Sequence, residues 1–420
     1  MELKGKYGTA TVFTDEIESS AISQIIQLLN QPMSKDAHVR VMPDVHAGAG
    51  CVIGYTAYRT DEIVPNLIGV DIGCSVTAWR LGKRSIVGEK FDKLDEFIRK
   101  NIPSSRNIHD RIFDYTKNST LAFSFPLKSK ENIIEVSKRT NQDPDYVLRS
   151  LGTLGGGNHF IEIDKDDNDE LWLVIHSGSR NFGLKIAKYH QSIAEDSILG
   201  IDEDEYAKRI EHIKSTKKGK GIEVAIKKFR KEISKRGKVT GLESLSGENA
   251  QAYFKDMNTA QAYAKLNHRI MSYIILTGFY KMVYKDVEII ESVHNYINFE
   301  DNIVRKGAIS AHKDERVIIP LNMADGVIVG YGKGNEDWNY SAPHGAGRKM
   351  SRTKAKESIS LKQFRATMKR KGVWSSTVNK YTLDEAPQAY KKTEHIIKYL
   401  KDTVDIEVHM KPIYNFKGVN

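Results

Sequence analysis

The sequence predicts an α+β fold: a single large domain of mixed β-sheets flanked by helices, with a helical insertion. Short apolar segments broken by Gly and Asp, which are typical of strands and tight turns, fill residues 38–81 and recur at 171–183 and 288–332. Between them, residues 185–285 read as mostly helical, and no Pro- or Gly-rich linker divides the chain. We therefore expect one domain over residues 1–420, with 185–285 as a mostly helical insertion within it.

The individual elements follow from local pattern. Residues 15–29, DEIESSAISQIIQLL, place apolar side chains at helical spacing after Thr14, which the pattern makes the N-cap. The segments HVRVMPDVHAGAGCVIGYTAYR and NLIGVDIGCSVTAWRL indicate strands separated by glycine turns, and LWLVIHSGSRNFG is an apolar strand that runs into a Gly/Ser turn. Residues 258–283 give the clearest helix, and strands resume with AISAHKDERVIIPLNMADGVIVGYG.

Composition is that of a globular protein rather than a disordered or membrane chain, with 40% hydrophobic and 28% charged residues. No run approaches the roughly 18 to 20 apolar residues that span a bilayer, and the start MELKGKYGTATVF lacks the apolar centre of a signal peptide. The two cysteines, Cys51 and Cys74, do not make a disulfide framework. We expect a cytoplasmic protein without membrane association, in which Cys74 stays reduced and free to act as a ligand.

The formal net charge of +10 favours a polyanionic partner. Two segments concentrate the charge. Residues 213–238 hold eleven basic and two acidic residues, and residues 361–374 are basic with interleaved aromatics. Such segments suit a phosphate backbone, but a solvated helix face has the same composition, so both interpretations stay open.

A group of Asp, Cys and His residues suggests metal binding. Asp71 and Cys74 lie three residues apart in GVDIGC, and a hard oxygen beside a soft sulfur suits zinc or manganese better than calcium or magnesium. His159, His176 and His294 each stand at a strand end or in a loop of small residues. A single histidine of this kind is more often a hydrogen-bonded core residue than a ligand, and a single cysteine is commonly a buried structural residue. Together the five exceed one tetrahedral site and suit two metals that share a bridging thiolate.

Two glycine-containing loops carry further polar side chains. The loop GTLGGGNHF offers a run of backbone N–H donors for phosphate, although tight turns use similar loops and it matches neither the Walker nor the dinucleotide pattern. In the strand that follows, Glu162 shares a face with Phe160. The stretch SAPHGAGRKMSRTKA sets His344 among small residues and then adds cations. Alone it would also fit a glycine turn before a basic helix.

Six motifs occur in a fixed order: MPDVHAGAG, GVDIGC, GGGNHFIEI, HSGSRNFG, HN followed by RKGAISA, and HGAGRKMSR. In this order they resemble the RtcB family of GTP-dependent RNA ligases, from about residue 40 to the C-terminal FKG, as a divergent bacterial-type member. The resemblance implies an RtcB-like fold and an enzyme that joins an RNA 3′-phosphate or 2′,3′-cyclic phosphate end to a 5′-hydroxyl end in RNA repair, RNA splicing or tRNA processing. It also implies GTP binding and two manganese ions per active site.

The resemblance assigns roles by position. Asp71, Cys74 and His159 resemble the ligands of one manganese, Cys74, His176 and His294 resemble those of the second, and His344 resembles the nucleophile that becomes guanylated. The positions that resemble guanylate contacts are Asn158, His159, Glu162, His294, Asn295, Pro320, Leu321, Asn322, Met323, Gly345, Ala346, Gly347 and Lys417. The positions that resemble contacts to RNA or nucleotide phosphates are Arg180, Arg348 and Arg352.

One departure concerns the guanylate pocket, where PLNM at 320–323 replaces the family's Pro-Gly-Ser-Met turn. Leu321 adds bulk where glycine allowed close approach, and Asn322 keeps a polar group where serine stood. Two alternatives to the ligase stay open: a dinuclear-metal phosphoesterase that opens cyclic phosphates without ligation, and a non-catalytic RNA-binding module. The expected partner is RNA with these ends. We expect a monomer, and the sequence leaves the need for an activating protein open.

Overall fold

The computed structural model describes residues 1–84, 89–115, 121, 128–199, 203–233 and 239–418. The strands are β1 Glu2–Lys4, β2 Thr9–Val12, β3 Val39–His46, β4 Ile53–Tyr58, β5 Ser75–Gly82, β6 Phe160–Lys165, β7 Leu171–Ser177, β8 Ile289–Val293, β9 Asn295–Asn298, β10 Ile303–Lys306, β11 Ala308–Ser310, β12 Arg316–Pro320, β13 Val327–Gly332, β14 Ser341–Pro343 and β15 Val404–Lys417. The α-helices are α1 Ser19–Leu29, α2 Glu89–Asn101, α3 Lys128–Arg139, α4 Pro144–Arg149, α5 Arg180–Ile198, α6 Glu203–Thr216, α7 Lys220–Ile233, α8 Gly247–Tyr273, α9 Arg352–Ser358, α10 Leu361–Lys371 and α11 Thr393–Leu400.

Three sheets organise the described strands. The first has six strands in the order β1-β2-β3-β4-β10-β9, with only β2 and β3 parallel. The second has seven antiparallel strands in the order β12-β13-β15-β6-β7-β5-β8, and β11 pairs with β14 in a small third sheet. The predicted α+β fold, one domain of mixed sheets flanked by helices, is confirmed.

The seven-stranded sheet curls until its two edge strands meet. Arg316 on β12 forms an ion pair with Glu288 beside β8, and the Ile318 backbone N–H donates to Ser292 Oγ at 3.0 Å. The nearly closed sheet encloses its own apolar cluster, which is Val76, Ala78, Phe160, Trp172, Val174, Ile290, Ile318, Val327, Val329 and Met410. Bringing the edges together covers backbone groups that an open edge would expose.

The largest core lies outside this curled sheet, between it, the first sheet and the helices. Alternation along β7 sends Leu173 and Ile175 into this large core, while Trp172 and Val174 face the interior of the curled sheet. Because successive side chains change sides, the following residue, His176, returns to the interior side. The alternation of side chains along β7 thus places His176 on the interior face of the curled sheet.

The first helix starts later than the sequence pattern predicts. Helix α1 begins at Ser19 with Glu18 at its N-cap position, so the predicted cap at Thr14 is wrong. The Thr14 hydroxyl instead accepts the Glu16 backbone N–H at 3.1 Å, in a local turn typical of threonine. Glu18 points toward the next element and accepts the Ala47 backbone N–H at 3.0 Å.

Helices α5 to α8 follow β7 and precede β8 in the chain. The description of residues 185–285 as an insertion stays a prediction. Helices α6 and α7 contain most of the basic segment 213–238, and α7 ends at residue 233. Residues 234–238 lie outside the described residues. Within the described ranges, no helix combines the length and the apolar character that crossing a membrane requires.

Candidate active site

The turn before β5 presents a carboxylate and a thiol. The Cys74 backbone N–H donates to the Asp71 carbonyl at 3.1 Å, which closes a tight turn. Gly73 in this turn has φ +71°, and a Cβ there would lie 2.9 Å from the Gln261 Cα on α8. Glycine therefore fits both the backbone conformation and the close approach of the helix, and the turn is held against α8.

Histidines from two other elements meet Cys74. The Cys74 Sγ lies 3.3 Å from His176 Nε2 and 3.7 Å from His159 Nε2. His159 Nε2 is also 3.1 Å from the Asp71 carboxylate, and its Nδ1 is 3.0 Å from the Leu154 carbonyl, to which it donates. The potential ligand atoms of Cys74, His159 and His176 all lie within 4.8 Å of one another. The structure thus brings these residues together, although they come from separate stretches of the chain.

His294 completes the group from the end of β8. Its ring centroid is 5.2 Å from that of His176, and its backbone N–H donates to the Cys74 carbonyl at 3.0 Å. Its Nδ1 is buried and has no hydrogen-bond partner among the described residues. A buried nitrogen without a partner is costly unless a ligand occupies it.

The donor set fits a borderline divalent cation. Burial and the neighbouring imidazoles hold the pKa of both His176 and His294 well below the usual range, so both are neutral and keep a lone pair. Burial raises the pKa of the Cys74 thiol, as does the nearby Asp71. A bound cation reverses this effect by favouring the thiolate. Neutral imidazoles, one sulfur and one carboxylate are ligands that zinc and manganese accept.

His344 is held by a buried carboxylate that the sequence did not assign. Its Nδ1 lies 2.6 Å from Asp44 Oδ2, and its backbone N–H donates to the same oxygen at 3.1 Å. Asp44 is fully buried in β3. The ring centroid of His344 is 4.9 Å from that of His294. His344 therefore borders the candidate metal-ligand group, which is Asp71, Cys74, His159, His176 and His294. The motif MPDVHAGAG was the signal that could have led to Asp44.

The small residues after His344 have a steric reason. Gly347 has φ +70°, and a Cβ there would lie 2.3 Å from the Asp44 carbonyl oxygen. A Cβ on Gly345 would lie 2.9 Å from the Pro320 carbonyl oxygen. The loop therefore packs directly on the strand that supplies Asp44, and a larger residue at 347 would push the two apart.

A cavity of about 510 Å³ opens beside His344. Glu162 and Phe160 line it because they share the inward face of β6, as predicted. The predicted site residues that line the cavity are Asn158, Glu162, His176, Pro320, Leu321, Asn322, Met323, His344, Gly345, Ala346, Gly347, Arg348, Arg352 and Lys417. Further lining residues, to which the sequence gave no role, include Glu18, Ser20, His46, Tyr390 and Asn415.

Glu162 is a buried carboxyl at the inner end of the cavity. Burial raises its pKa to about 7, and the Asn415 amide, which donates to it at 2.6 Å, together with Lys417 limits the rise. Asp164, on the same face of the strand, is fully buried with neither carboxyl oxygen paired among the described residues. Burial raises the pKa of Asp164 well above its usual range. The inner wall therefore holds a weakly acidic group that can meet a polar ligand.

Three cations converge on Glu385 at another wall. Arg352 Nη1 lies 2.5 Å from the Glu385 carboxylate, and Arg348 Nη1 and Lys417 Nζ lie 3.5 Å from it. Although burial alone would raise the pKa of Glu385, these cations hold it below the usual value. Arg352 also contacts Asp384 at 2.9 Å. Sequence reasoning missed Glu385, because LDEAP carries no motif or periodicity that marks it.

Two predicted residues hydrogen-bond to other parts of the protein outside the cavity lining. Arg180 donates to Thr153 Oγ1 at 3.0 Å and to the Ser105 carbonyl at 2.6 Å. The Asn295 amide donates to the Asp71 carbonyl at 3.1 Å, and its oxygen accepts the Gly307 N–H at 2.9 Å. Asp71, Cys74, His159 and His294 also lie outside the described lining, next to His176 and His344, which are part of it.

The altered PLNM turn is compact. Leu321 is only 3% exposed and packs into a core cluster with Ala342 and Ala346. The Asn322 side-chain oxygen accepts the Ala324 N–H at 3.0 Å, and its amide donates to the Asp325 carboxylate at 2.9 Å. The bulk added at 321 thus goes mainly into the core, and the amide at 322 stabilises its own turn.

Comparison with known proteins agrees with this arrangement. The family model described as tRNA-splicing ligase RtcB matches residues 24–418. The chain is 30% identical to the RNA-splicing ligase RtcB of Escherichia coli K12, over 96% of this chain and 95% of that protein. It is 28% identical to the tRNA-splicing ligase RtcB of Methanococcus maripaludis, over 90% and 87%, and 26% identical to that of Nanoarchaeum equitans, over 91% and 88%. Because the match includes every segment that supplies the cysteine, the histidines and Asp44, this chain belongs to the RtcB family.

Proposed function

We propose that this protein is an RNA ligase that joins a 3′-phosphate or 2′,3′-cyclic phosphate end to a 5′-hydroxyl end. It uses GTP and two manganese ions, and it acts through a guanylated His344 and an RNA-(3′)pp(5′)G intermediate. The observation that carries the proposal is the 2.6 Å contact between His344 Nδ1 and buried Asp44, at the wall of a cavity beside the histidine and cysteine group. The names of the relatives, RNA-splicing ligases, supply the reaction class.

The hydrogen bond from Nδ1 to Asp44 assigns the reactive nitrogen. With Nδ1 as donor, Nε2 of His344 keeps the lone pair that a nucleophile needs. In the proposed step Nε2 forms a bond to the α-phosphorus of GTP, and the bond from that phosphorus to the bridging oxygen of pyrophosphate breaks. The imidazole then carries positive charge, which the Asp44 carboxylate stabilises as in other nucleophile and carboxylate pairs. A 2′,3′-cyclic phosphate end is first opened by water to a 3′-phosphate. The RNA 3′-phosphate takes GMP from Nε2, and the 5′-hydroxyl oxygen then attacks the RNA phosphorus and releases GMP.

The metal ligands in this proposal are Asp71, Cys74 and His159 for one ion and Cys74, His176 and His294 for the other. The unpaired His294 Nδ1 and the clustered ligand atoms support this assignment. When bound, manganese ions would neutralise the negative charge on the reacting phosphate oxygens.

Polar groups of the cavity are suited to hold the nucleotide. Lys417 Nζ donates to the Asn158 carbonyl at 2.9 Å, which ties the glycine-rich loop to the C-terminal strand. We assign the guanylate to Asn158, Glu162, the 320–323 turn and Lys417. Arg348 and Arg352 contact its phosphates or those of RNA, because a guanidinium has donors left after pairing with Glu385.

The first test is labelling of the protein with α-labelled GTP in the presence of Mn²⁺. The expected product is a protein adduct that is labile to acid and stable to alkali, as a phosphoramidate is. His344→Ala should abolish it, and His212→Ala, an exposed histidine on α6, should leave it unchanged. Wild-type protein that binds Mn²⁺ yet forms no adduct contradicts the proposal. Opening of a cyclic phosphate without any joined product indicates a phosphoesterase instead.

A further inference from the structure

We infer that helix α10, Leu361–Lys371, is a docking surface for the phosphate backbone of the RNA substrate, positioned beside the cavity and reading no base. The inference rests on the proposed function, because it assumes that an RNA end enters the cavity. Four solvent-exposed cations form the surface: Lys362, Arg365, Lys369 and Arg370.

The charges on this surface are uncompensated. None of the four cations has an ion-pair partner among the described residues, and the sequence holds no Asp or Glu from residue 358 to 383. Lys371, by contrast, pairs with Asp325 at 2.7 Å. The first turn of the helix has no acidic residue, so Lys362 there opposes the helix dipole. An acidic side chain at this position would stabilise the helix and offset the repulsion among its cations. Here a bound polyanion offsets that repulsion.

The surface is fixed to the cavity wall. Phe364 and Met368 on the inner face of α10 are buried in one cluster with Met323, and partly buried Met350 packs against this cluster. Both Met323 and Met350 line the cavity. Ser360 and Gln363 form a capping box that defines the start of the helix. RNA whose 3′ end reaches His344 therefore has its adjoining backbone beside a rigid row of cations.

The aromatic residues of this segment are not available for stacking on bases. Phe364 is fully buried. The Trp374 ring stacks on Tyr414 with centroids 5.4 Å apart and on Phe91 at 6.1 Å. Single-strand binding platforms use accessible rings for stacking, and this surface offers none at these positions. The surface therefore binds RNA through charge. Such binding does not depend on the RNA sequence and weakens as the salt concentration rises.

The test compares two quadruple variants with equal loss of charge. The first carries Lys362→Gln, Arg365→Gln, Lys369→Gln and Arg370→Gln, in which glutamine preserves helix propensity. The matched control carries Lys185→Gln, Lys188→Gln, Lys255→Gln and Lys265→Gln on the exposed faces of α5 and α8. Each protein is measured for RNA binding at several salt concentrations, with two RNAs of unrelated sequence, and separately for GTP labelling without RNA.

We expect the α10 variant to bind both RNAs at least tenfold more weakly at low salt than the control does. The slope of log affinity against log salt should fall in magnitude by about 2 to 4, since each lost phosphate contact removes about 0.7 to 0.9. Labelling of the α10 variant should equal that of wild type, because the four side chains line no described part of the cavity. If the α10 variant binds RNA with an affinity within twofold of that of the control variant, the inference is overturned. That result includes the case in which α10 binds an acidic protein and not RNA. A wild-type protein that is never labelled overturns the proposed function, and the binding comparison still decides the role of α10.

Discussion

The contact between Asp44 and His344 links residues 300 positions apart and decides which imidazole nitrogen faces the cavity. Asp44 is fully buried, and one of its oxygens receives both the ring and the backbone N–H of His344. This double contact fixes the ring and its tautomer together. In the proposed step, a carboxylate in that place contributes negative charge and accepts the hydrogen bond from Nδ1.

Asp44→Asn should therefore impair the nucleophile while preserving the shape of the site. The amide oxygen can still accept both N–H groups of His344, but the amide brings no charge to stabilise the imidazolium that the proposed step forms. We expect the rate of GTP labelling to fall by about 10²- to 10⁴-fold. Single-turnover labelling measures this rate, and Asp36→Asn, an exposed residue, is the control. A rate within threefold of wild type would show that Asp44 does not direct His344.

Glu162 supplies a pH-dependent prediction about stability. Its pKa is about 7 in the folded protein because burial disfavours the charged form, against an ordinary value of 4.5. Because the pKa of Glu162 is higher in the folded protein, its carboxyl group loses its proton at a lower pH in the unfolded chain than in the folded protein. The cost of charging Glu162 in the folded state thus grows from about pH 4.5 to pH 7 and is fully present above that range.

Glu162→Gln should therefore stabilise the nucleotide-free protein more at pH 8 than at pH 5. The linkage relation gives a difference of about 2 to 3 kcal/mol between the two pH values, which coupling to Asp164 reduces. Denaturant unfolding at both values measures it, with exposed Glu211→Gln as the matched control. Equal effects of Glu162→Gln at pH 5 and pH 8 would contradict a raised pKa.

At the scale of elements, helix α8 connects two segments of the candidate site. Asn267 on α8 accepts the backbone N–H groups of Gly152 and Thr153 at 2.8 and 3.0 Å. Its amide donates to the Thr153 carbonyl at 3.0 Å and to Ser177 Oγ at 3.2 Å. One buried side chain thus joins the loop that carries His159 to the end of the strand that carries His176.

Asn267→Ala should lower both the free energy of unfolding and the affinity for Mn²⁺. Removing the amide leaves two buried N–H groups and a carbonyl without partners, which costs about 2 to 4 kcal/mol. Denaturant unfolding checks this cost, and Mn²⁺ titration checks the accompanying loss of affinity. Asn258→Ala, at an exposed position of the same helix, changes helix propensity by the same amount. Comparable losses in both variants would mean that the effect belongs to the helix and not to its contact with the loop.

The same elements show what sequence can predict. The α+β class followed from short apolar runs and helical periodicity, which are local signals. Motif resemblance marked the residues of the metal-ligand group, and the structure brings Cys74, His159 and His176 together. Glu385 and Asn267 escaped assignment because their partners lie far away in the chain and no local pattern records such contacts. Asp44 lies within the motif MPDVHAGAG, but its contact with His344, 300 positions away, cannot be seen from the motif. The curling of the seven-stranded sheet also depends on long-range pairing of β15 with β6 and β13.

At the scale of the whole molecule, the metal-ligand group joins elements that are far apart in the chain. Cys74 precedes β5, His159 precedes β6, His176 is in β7 and His294 follows β8. These four strands of the curled sheet adjoin one another in the order β6-β7-β5-β8. A ligand that binds this group in the folded state and not in the unfolded chain stabilises the entire domain by mass action.

Mn²⁺ should therefore raise the unfolding temperature of the chelator-treated protein. At a metal concentration 100 times the dissociation constant the gain is about 2.7 kcal/mol, and for a chain of this size that corresponds to a shift of a few degrees. Cys74→Ala should remove most of the shift, because in the proposed function its thiolate would be a ligand of both ions. The matched control is Cys51→Ala, since Cys51 is the other buried free cysteine and contributes no ligand to the described group. Cys51→Ala should lower the starting temperature through lost packing and keep the Mn²⁺ shift. If both variants show the same shift as wild type, the ion binds elsewhere in the molecule, and the assignment of Cys74 as a shared ligand is wrong.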